Sequence, residues 1–129
     1  MTTDLICLLI LALWSIPLNH IPALARTAAA DIKWGMGNRD TMPNVPVWVE
    51  RADRAQRNHH DNLALIATVI LMAQVTGQAD AITGIASMAL VSFRLLHSLV
   101  YIFGIILIRS MAYLGALIAL LVIVWRILT

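Results

Sequence analysis

Between Glu50 and Thr76 the chain changes character halfway along one stretch. The segment reads ERADRAQRNHHDNLALIATVILMAQVT, densely polar in its first half and almost pure hydrocarbon in its second. The apolar part, residues 63–76, is too short to cross a bilayer, which takes about 20 helical residues. Counting back from Gly77, a full span has to include Asn58 and Asp61. Polar and charged groups are expensive at membrane depth unless they face other helices or a wet cavity. The sequence therefore asks for a polar cluster inside a helical membrane bundle.

The composition agrees. Of the 129 residues, 60% are hydrophobic and 12% charged, and the mean hydropathy is +0.84. That balance excludes an ordinary soluble domain. The formal charge is +2, but the basic residues are scattered and several lie within apolar segments, so no nucleic-acid partner is expected. The single Cys7 excludes an intramolecular disulfide and a multi-cysteine metal site, and it reads as a packing residue. The N-terminus imitates a signal peptide, with Ala23-Leu24-Ala25 as a cleavage-like site. Asp4 is the only charged side chain before Arg26, however, so the segment is expected to be a retained first span.

Four spans follow from the apolar runs, at about 4–25, 50–76, 81–103 and 106–128, and they predict one all-α domain over 1–129: a transmembrane four-helix bundle. Pro17 and Pro22 interrupt the first span and are tolerated where neighbouring helices satisfy the freed carbonyls. Asn19 and His20, near its end, read as helix-contact or interface residues. Residues 27–49 are expected to form a loop, from the turn signals Gly35, Gly37-Asn38, Pro43-Asn44 and Pro46. Arg26, Lys33, Arg39 and Arg51 make this the most basic connection, whereas residues 77–80 carry no Lys or Arg. The positive-inside rule then puts the 27–49 loop in the cytoplasm.

Helical rotation gathers the polar residues into faces. On the second span Arg51, Arg54, Asn58 and Asp61 share one stripe, while His59 and His60 leave it and diverge from each other. The two histidines therefore read as solvated or interface residues, and no metal site is expected. On the third span Arg94, His97, Ser98 and Tyr101 share a face. Folding the two spans back about their tight link sets Asp61 level with Arg94, Asn58 with His97 and Arg54 with Tyr101. An Asp61–Arg94 ion pair is expected, because pairing lowers the cost of burying either charge. On its own it is as consistent with a register staple as with a site.

Arg51, Arg54, Arg94 and Arg109 outnumber the carboxylates available to them at depth, of which Asp61 is the principal one. A surplus of guanidinium groups in a low-dielectric site calls for an anionic ligand, and the planar fork suits carboxylates. A small anion with several carboxylates and a thiol fits. A thiol becomes a nucleophile as its thiolate, which a nearby cation and hydroxyl donor stabilise. Arg109 and Ser110 offer both, although a serine in a membrane helix commonly bonds its own backbone, and Tyr113 alone reads as an interfacial ring.

The motifs Glu50-Arg51-x-x-Arg54-Ala55-x-x-Asn58-x-x-Asp61, Arg94-x-x-His97-x-x-x-Tyr101 and Arg109-Ser110-x-x-Tyr113 together resemble the MAPEG family, the membrane-associated proteins in eicosanoid and glutathione metabolism. The similarity covers nearly the whole chain. It implies a homotrimer of four-helix subunits with glutathione as co-substrate, bound between neighbouring subunits near the cytoplasmic side. It implies that Arg26, Arg54, Arg57, Asn58, Asp61, His97, Tyr101 and Tyr113 touch glutathione, and that Arg109, with Ser110 nearby, holds the thiolate. Short bacterial members are the most similar, which implies a bacterial inner membrane. Two departures stand out: Asp61 replaces the family's usual glutamate, and the connection from Tyr101 to Arg109 is one residue shorter than in eicosanoid-processing members.

The expected function is that of a membrane-bound glutathione transferase or peroxidase, acting on a lipophilic electrophile that arrives from the bilayer. The rival expectation is a non-catalytic member that binds lipid or a partner membrane protein and uses the polar cluster for trimer assembly. A small transporter or channel subunit is a third class, against which the absence of inverted halves counts.

Overall fold

The computed structural model describes all 129 residues as five helices and their connections, with no strand. They are α1 (Thr3–Ala29), α2 (Ile32–Met36), α3 (Val47–Val75), α4 (Ala81–Phe103) and α5 (Ile106–Leu128). The four long helices correspond to the four apolar runs. The connection expected over 27–49 is shorter, because α1 continues to Ala29 and α3 starts at Val47, and it contains α2. Asp31 starts that short helix by accepting a hydrogen bond from the Trp34 backbone N–H at 2.6 Å.

By length and composition α1, α4 and α5 are able to cross a membrane. Helix α3, with 29 residues, is as long as any of them, but its polar first half keeps it out of that set. Helix α4 packs against α1, α3 and α5, and α1 packs against α3. No contact joins α1 to α5, so they lie on opposite sides of the α3/α4 pair. All four long helices feed one core, in which Cys7 and Leu11 of α1 meet Ile66 and Ile70 of α3, Leu90 of α4, and Ala116 and Ile123 of α5. Cys7 is thus a packing residue, 4% exposed.

The contact between α4 and α5 depends on small residues. A Cβ on Gly115 would fall 2.8 Å from the Phe93 ring, so only glycine lets that ring lie against α5. At the α4–α5 turn, Gly104 adopts φ +80°, the left-handed conformation glycine tolerates at least cost. Its N–H bonds Tyr101 O at 3.1 Å and the Ile105 N–H bonds Val100 O at 2.9 Å, so the last carbonyls of α4 are satisfied. The Arg51 guanidinium rests on the same glycine: an added Cβ would lie 2.6 Å from Arg51 Cζ.

The opposite end is closed by Asp80. Its Oδ1 accepts from the backbone N–H groups of Ile82 and Thr83, both at 2.9 Å, and Thr83 Oγ1 accepts from the Asp80 N–H at 2.9 Å. Asp80 Oδ2 accepts from Arg126 Nη2 at 2.6 Å and Nε at 3.1 Å, which ties the end of α5 to the start of α4. The Thr83 N–H, and then the Arg126 guanidinium, hold the Asp80 carboxyl below its ordinary 3.8.

Gly104→Ala should destabilise the bundle by about 1–2 kcal/mol through the left-handed backbone alone, read as a melting temperature lower by a few degrees in detergent, with Arg51 displaced. The Asp80 carboxyl is depressed in the fold, so its stabilisation is full above its ordinary pKa and is lost as pH falls through the depressed one. The melting-temperature advantage of wild type over Asp80→Asn should therefore hold near neutrality and shrink below about pH 4.

Candidate functional site

Helix α3 buries one stripe, formed by Ala52, Ala55, His59, Ile66, Val69, Ile70 and Ala73. Arg54, Asn58 and Asp61 lie about a third of a turn away from it, at 100° per residue. Arg54 and Asp61 are accordingly exposed and Asn58 half-buried. The polar stripe read from the sequence is one continuous face, but it points away from the chain's own core.

The expected Asp61–Arg94 ion pair does not form. The two ion pairs of the chain are Arg26–Asp53 and Arg126–Asp80. Arg94 is 2% exposed and spends its guanidinium on Asn58: Nη1 donates to Oδ1 at 3.2 Å and Nη2 to the backbone O at 3.0 Å. Helical rise sets the depth of a residue but not its rotation about the axis. Asp61 has the right depth and faces outward, and the long Arg94 side chain reaches the neighbouring turn instead.

His59 departs from expectation too. It is 2% exposed rather than solvated, and its Nε2 lies 3.0 Å from Leu11 O on α1. Its ring centroid is 6.0 Å from that of His60, which is exposed. No three His, Cys, Asp or Glu side chains converge. The signal for His59 was in the sequence: it stands four and seven residues after Ala55 and Ala52, in register with a stripe of small residues.

On α4, Arg94, His97 and Ser98 are buried and Tyr101 is half-buried on one face. Ser98 Oγ accepts from Trp14 Nε1 at 2.9 Å and itself lies 2.8 Å from Arg94 O, to which it donates. The His97 and Tyr101 rings meet edge to face with centroids 5.7 Å apart, and Tyr113 of α5 approaches the other way at 6.1 Å. Arg109 Cζ stands 4.6 Å from the centroid of Tyr101, within cation–π range. The structure therefore brings together His97, Tyr101, Arg109 and Tyr113. Ser110 is exposed, and its hydroxyl donates to Ile106 O at 3.1 Å, one turn back on its own helix.

A crevice of about 80 Å³ opens beside this group, with Asn62, Arg94 and Tyr113 at its polar end and Leu65, Leu90, Leu117 and Leu120 along its walls. A second cleft, of about 440 Å³, lies on the other side of α3, between α1, α2 and the connecting loop. Arg26, Arg39, Asp53, Gln56 and Arg57 line it, with Asn19 and the Trp34 ring. Arg26 is engaged by Asp53, and Arg39 bonds Gly35 O through Nε and Nη2 at 3.1 and 2.8 Å. Arg26 and Arg57 are thus separated, within one chain, from Tyr101, Arg109 and Tyr113. That Trp34 and Arg39 line this cleft is not legible in the sequence, because the fold of the connecting loop has no periodicity to read.

The model of the MAPEG family matches residues 5–129. Comparisons with curated proteins and with solved structures found no match. With that match over nearly its full length, and with three helices apolar enough to span a bilayer, the chain is an integral membrane protein that belongs to the MAPEG family.

Proposed function

We propose that the protein is a membrane-bound, glutathione-dependent transferase or peroxidase. The observation that carries this reading is the Arg109 guanidinium standing over Tyr101 beside His97 and Tyr113, together with an outward α3 face on which Arg54 and Asp61 form no ion pair and the Asn58 amide nitrogen makes no hydrogen bond within the chain. Glutathione suits that face. Its carboxylates meet Arg54 and the Asn58 amide, its ammonium meets Asp61, and its thiol lies toward Arg109. Membership of the family supports a glutathione-related role.

Arg26 and Arg57 line the cleft on the other side of α3. Within one chain they stand apart from Tyr101 and Arg109, so a site that uses all four takes Arg26 and Arg57 from a second copy, as in a homotrimer with shared sites. Four transmembrane helices per subunit, with the basic loop before α3 in the cytoplasm of a bacterial cell, complete the picture. In that frame α3 spans with its polar half against neighbouring subunits.

The chemistry is thiolate stabilisation plus proximity. Arg109⁺ favours the ionised sulfur, and the thiol proton leaves to solvent. In a transferase step the thiolate sulfur forms a bond to an electrophilic carbon of a lipophilic substrate, and the leaving group departs with its electron pair. In a peroxidase step the sulfur attacks the peroxide oxygen, the alcohol leaves, and a second glutathione thiol converts the sulfenic acid to disulfide and water. Ser110 has a secondary part, because its hydroxyl proton is directed at Ile106 O and must turn before it can donate to sulfur.

Ultraviolet titration of the purified protein with glutathione should show the bound thiol ionising about 1–3 pH units below the free one, as an adjacent cation dictates. Arg109→Ala should abolish most of that shift, while Ser110→Ala should remove only a fraction. Glutathione bound with an unshifted thiol, and no product from a panel of electrophiles and hydroperoxides, would favour the non-catalytic alternative.

A further inference from the structure

Arg94 is the most deeply enclosed cation of the chain, and no carboxylate lies within ion-pair distance of it. Its Nε has no partner. Burying an unpaired guanidinium is costly, and an apolar side chain of similar volume would hold two helices together at less expense. Register alone is a poor account of this residue. What it does hold is specific: both of its terminal nitrogens go to Asn58, one to the side-chain oxygen and one to the backbone oxygen.

We propose that Arg94 is a positioning residue that orients the Asn58 amide for the ligand. This inference rests on the glutathione reading given above. A guanidinium has donors and no acceptor. The amide oxygen of Asn58 must therefore face Arg94, and the amide nitrogen, with its two N–H donors, must face the other way. Asn58 Nδ2 makes no hydrogen bond within the chain, and it is not among the enclosed atoms left without a partner. It opens on the outward stripe, between Arg54 one turn before and Asp61 one turn after.

The backbone around it is fixed as well. Asn58 O accepts from Arg94 Nη2 at 3.0 Å and from Asn62 Nδ2 at 2.8 Å. The planar fork reaches both Asn58 oxygens at once, which a lysine ammonium on its single stem does not reproduce. Arg94 thus determines, from inside the bundle, which way a donor points on the outside. Without it no other group of the chain holds the amide oxygen inward.

Calorimetric titration with glutathione and thermal melting in detergent test the assignment on five forms: wild type, Asn58→Asp, Asn58→Leu, and Arg94→Lys in the wild-type and Asn58→Leu backgrounds. Asn58→Asp gives Arg94 a carboxylate and removes the outward donors. It should melt no lower than wild type and bind glutathione about 10- to 100-fold more weakly, the loss expected for one hydrogen bond to a charged group. Arg94→Lys should weaken binding about tenfold in the wild-type background and have no further effect once Asn58 is leucine. At saturating glutathione the thiol ionisation governed by Arg109 should be unchanged in Arg94→Lys.

Unaltered affinity in a well-folded Asn58→Asp protein would overturn the proposal. So would an Arg94→Lys effect of equal size in both backgrounds, since that is the signature of general destabilisation. Wild-type protein that fails to bind glutathione removes the functional reading itself, and this assignment with it. Binding by wild type combined with either of the first two outcomes removes the assignment alone.

Discussion

The contact on which the rest depends is the guanidinium of Arg94 closed between α3 and α4, with Asn58 as its partner. Between apolar helices in an apolar solvent, dispersion alone selects no unique register, and hydrogen bonds between helices do. Three further contacts work the same way. Asp4 Oδ1 accepts from Ser87 Oγ at 2.8 Å, Ser98 Oγ accepts from Trp14 Nε1, and His59 Nε2 meets Leu11 O. Together they fix the first half of α1, the middle of α3 and the middle of α4 relative to one another. Helix α5 has no such interior bond. It is held by apolar packing, by the Gly104 turn, and at its far end by Arg126 on Asp80.

That division matters for chemistry. The trio presents Asn58, His97 and Tyr101 on elements joined by hydrogen bonds between helices, whereas Arg109 and Tyr113 come from a helix held by apolar packing and by polar contacts at its far end. A glutathione-dependent reaction of the kind proposed needs both qualities. Binding groups have to be pre-set, because geometry carries much of the rate. The thiolate-stabilising cation, by contrast, has to tolerate a second substrate arriving from the lipid side, where α5 exposes Leu107, Met111, Leu114 and Leu121.

Much of this was legible in the sequence, because two periodicities coincide with it. Length and apolarity delimit the helices, and i, i+3, i+4 spacing collects Arg94, His97, Ser98 and Tyr101 on the face where the structure has them. What escaped was rotation. The polar stripe puts Asp61 inward and His59 outward, and the structure reverses both. The polar residues of α3 do not mark its inner face, whereas the small residues Ala52, Ala55 and Ala73 do. In a membrane bundle close approach of helices goes with small side chains, so the alanine stripe was the better guide. Helix α2 and the Arg26–Asp53 pair escaped for a different reason. They depend on how an irregular loop folds back on α1, which leaves no repeating mark.

The outward rotation of the α3 stripe also bears on assembly. Arg54, Arg57 and Asp61 are exposed in the first half of a helix that sits among apolar partners, and in lipid such a face would have few ways to be satisfied. Helices α1 and α5 lie on opposite sides of the α3/α4 pair, so one chain cannot close around the face with both Arg26 and Arg109. A second copy that brings its Arg26 cleft against the first copy's Tyr101 and Arg109 would cover the charged stripe and complete a ligand shell in one step. On the proposed reading, burial of α3 in the membrane and construction of the glutathione site are therefore the same event. On the same reading, neighbouring subunits and the anion they enclose solvate the polar half of that helix.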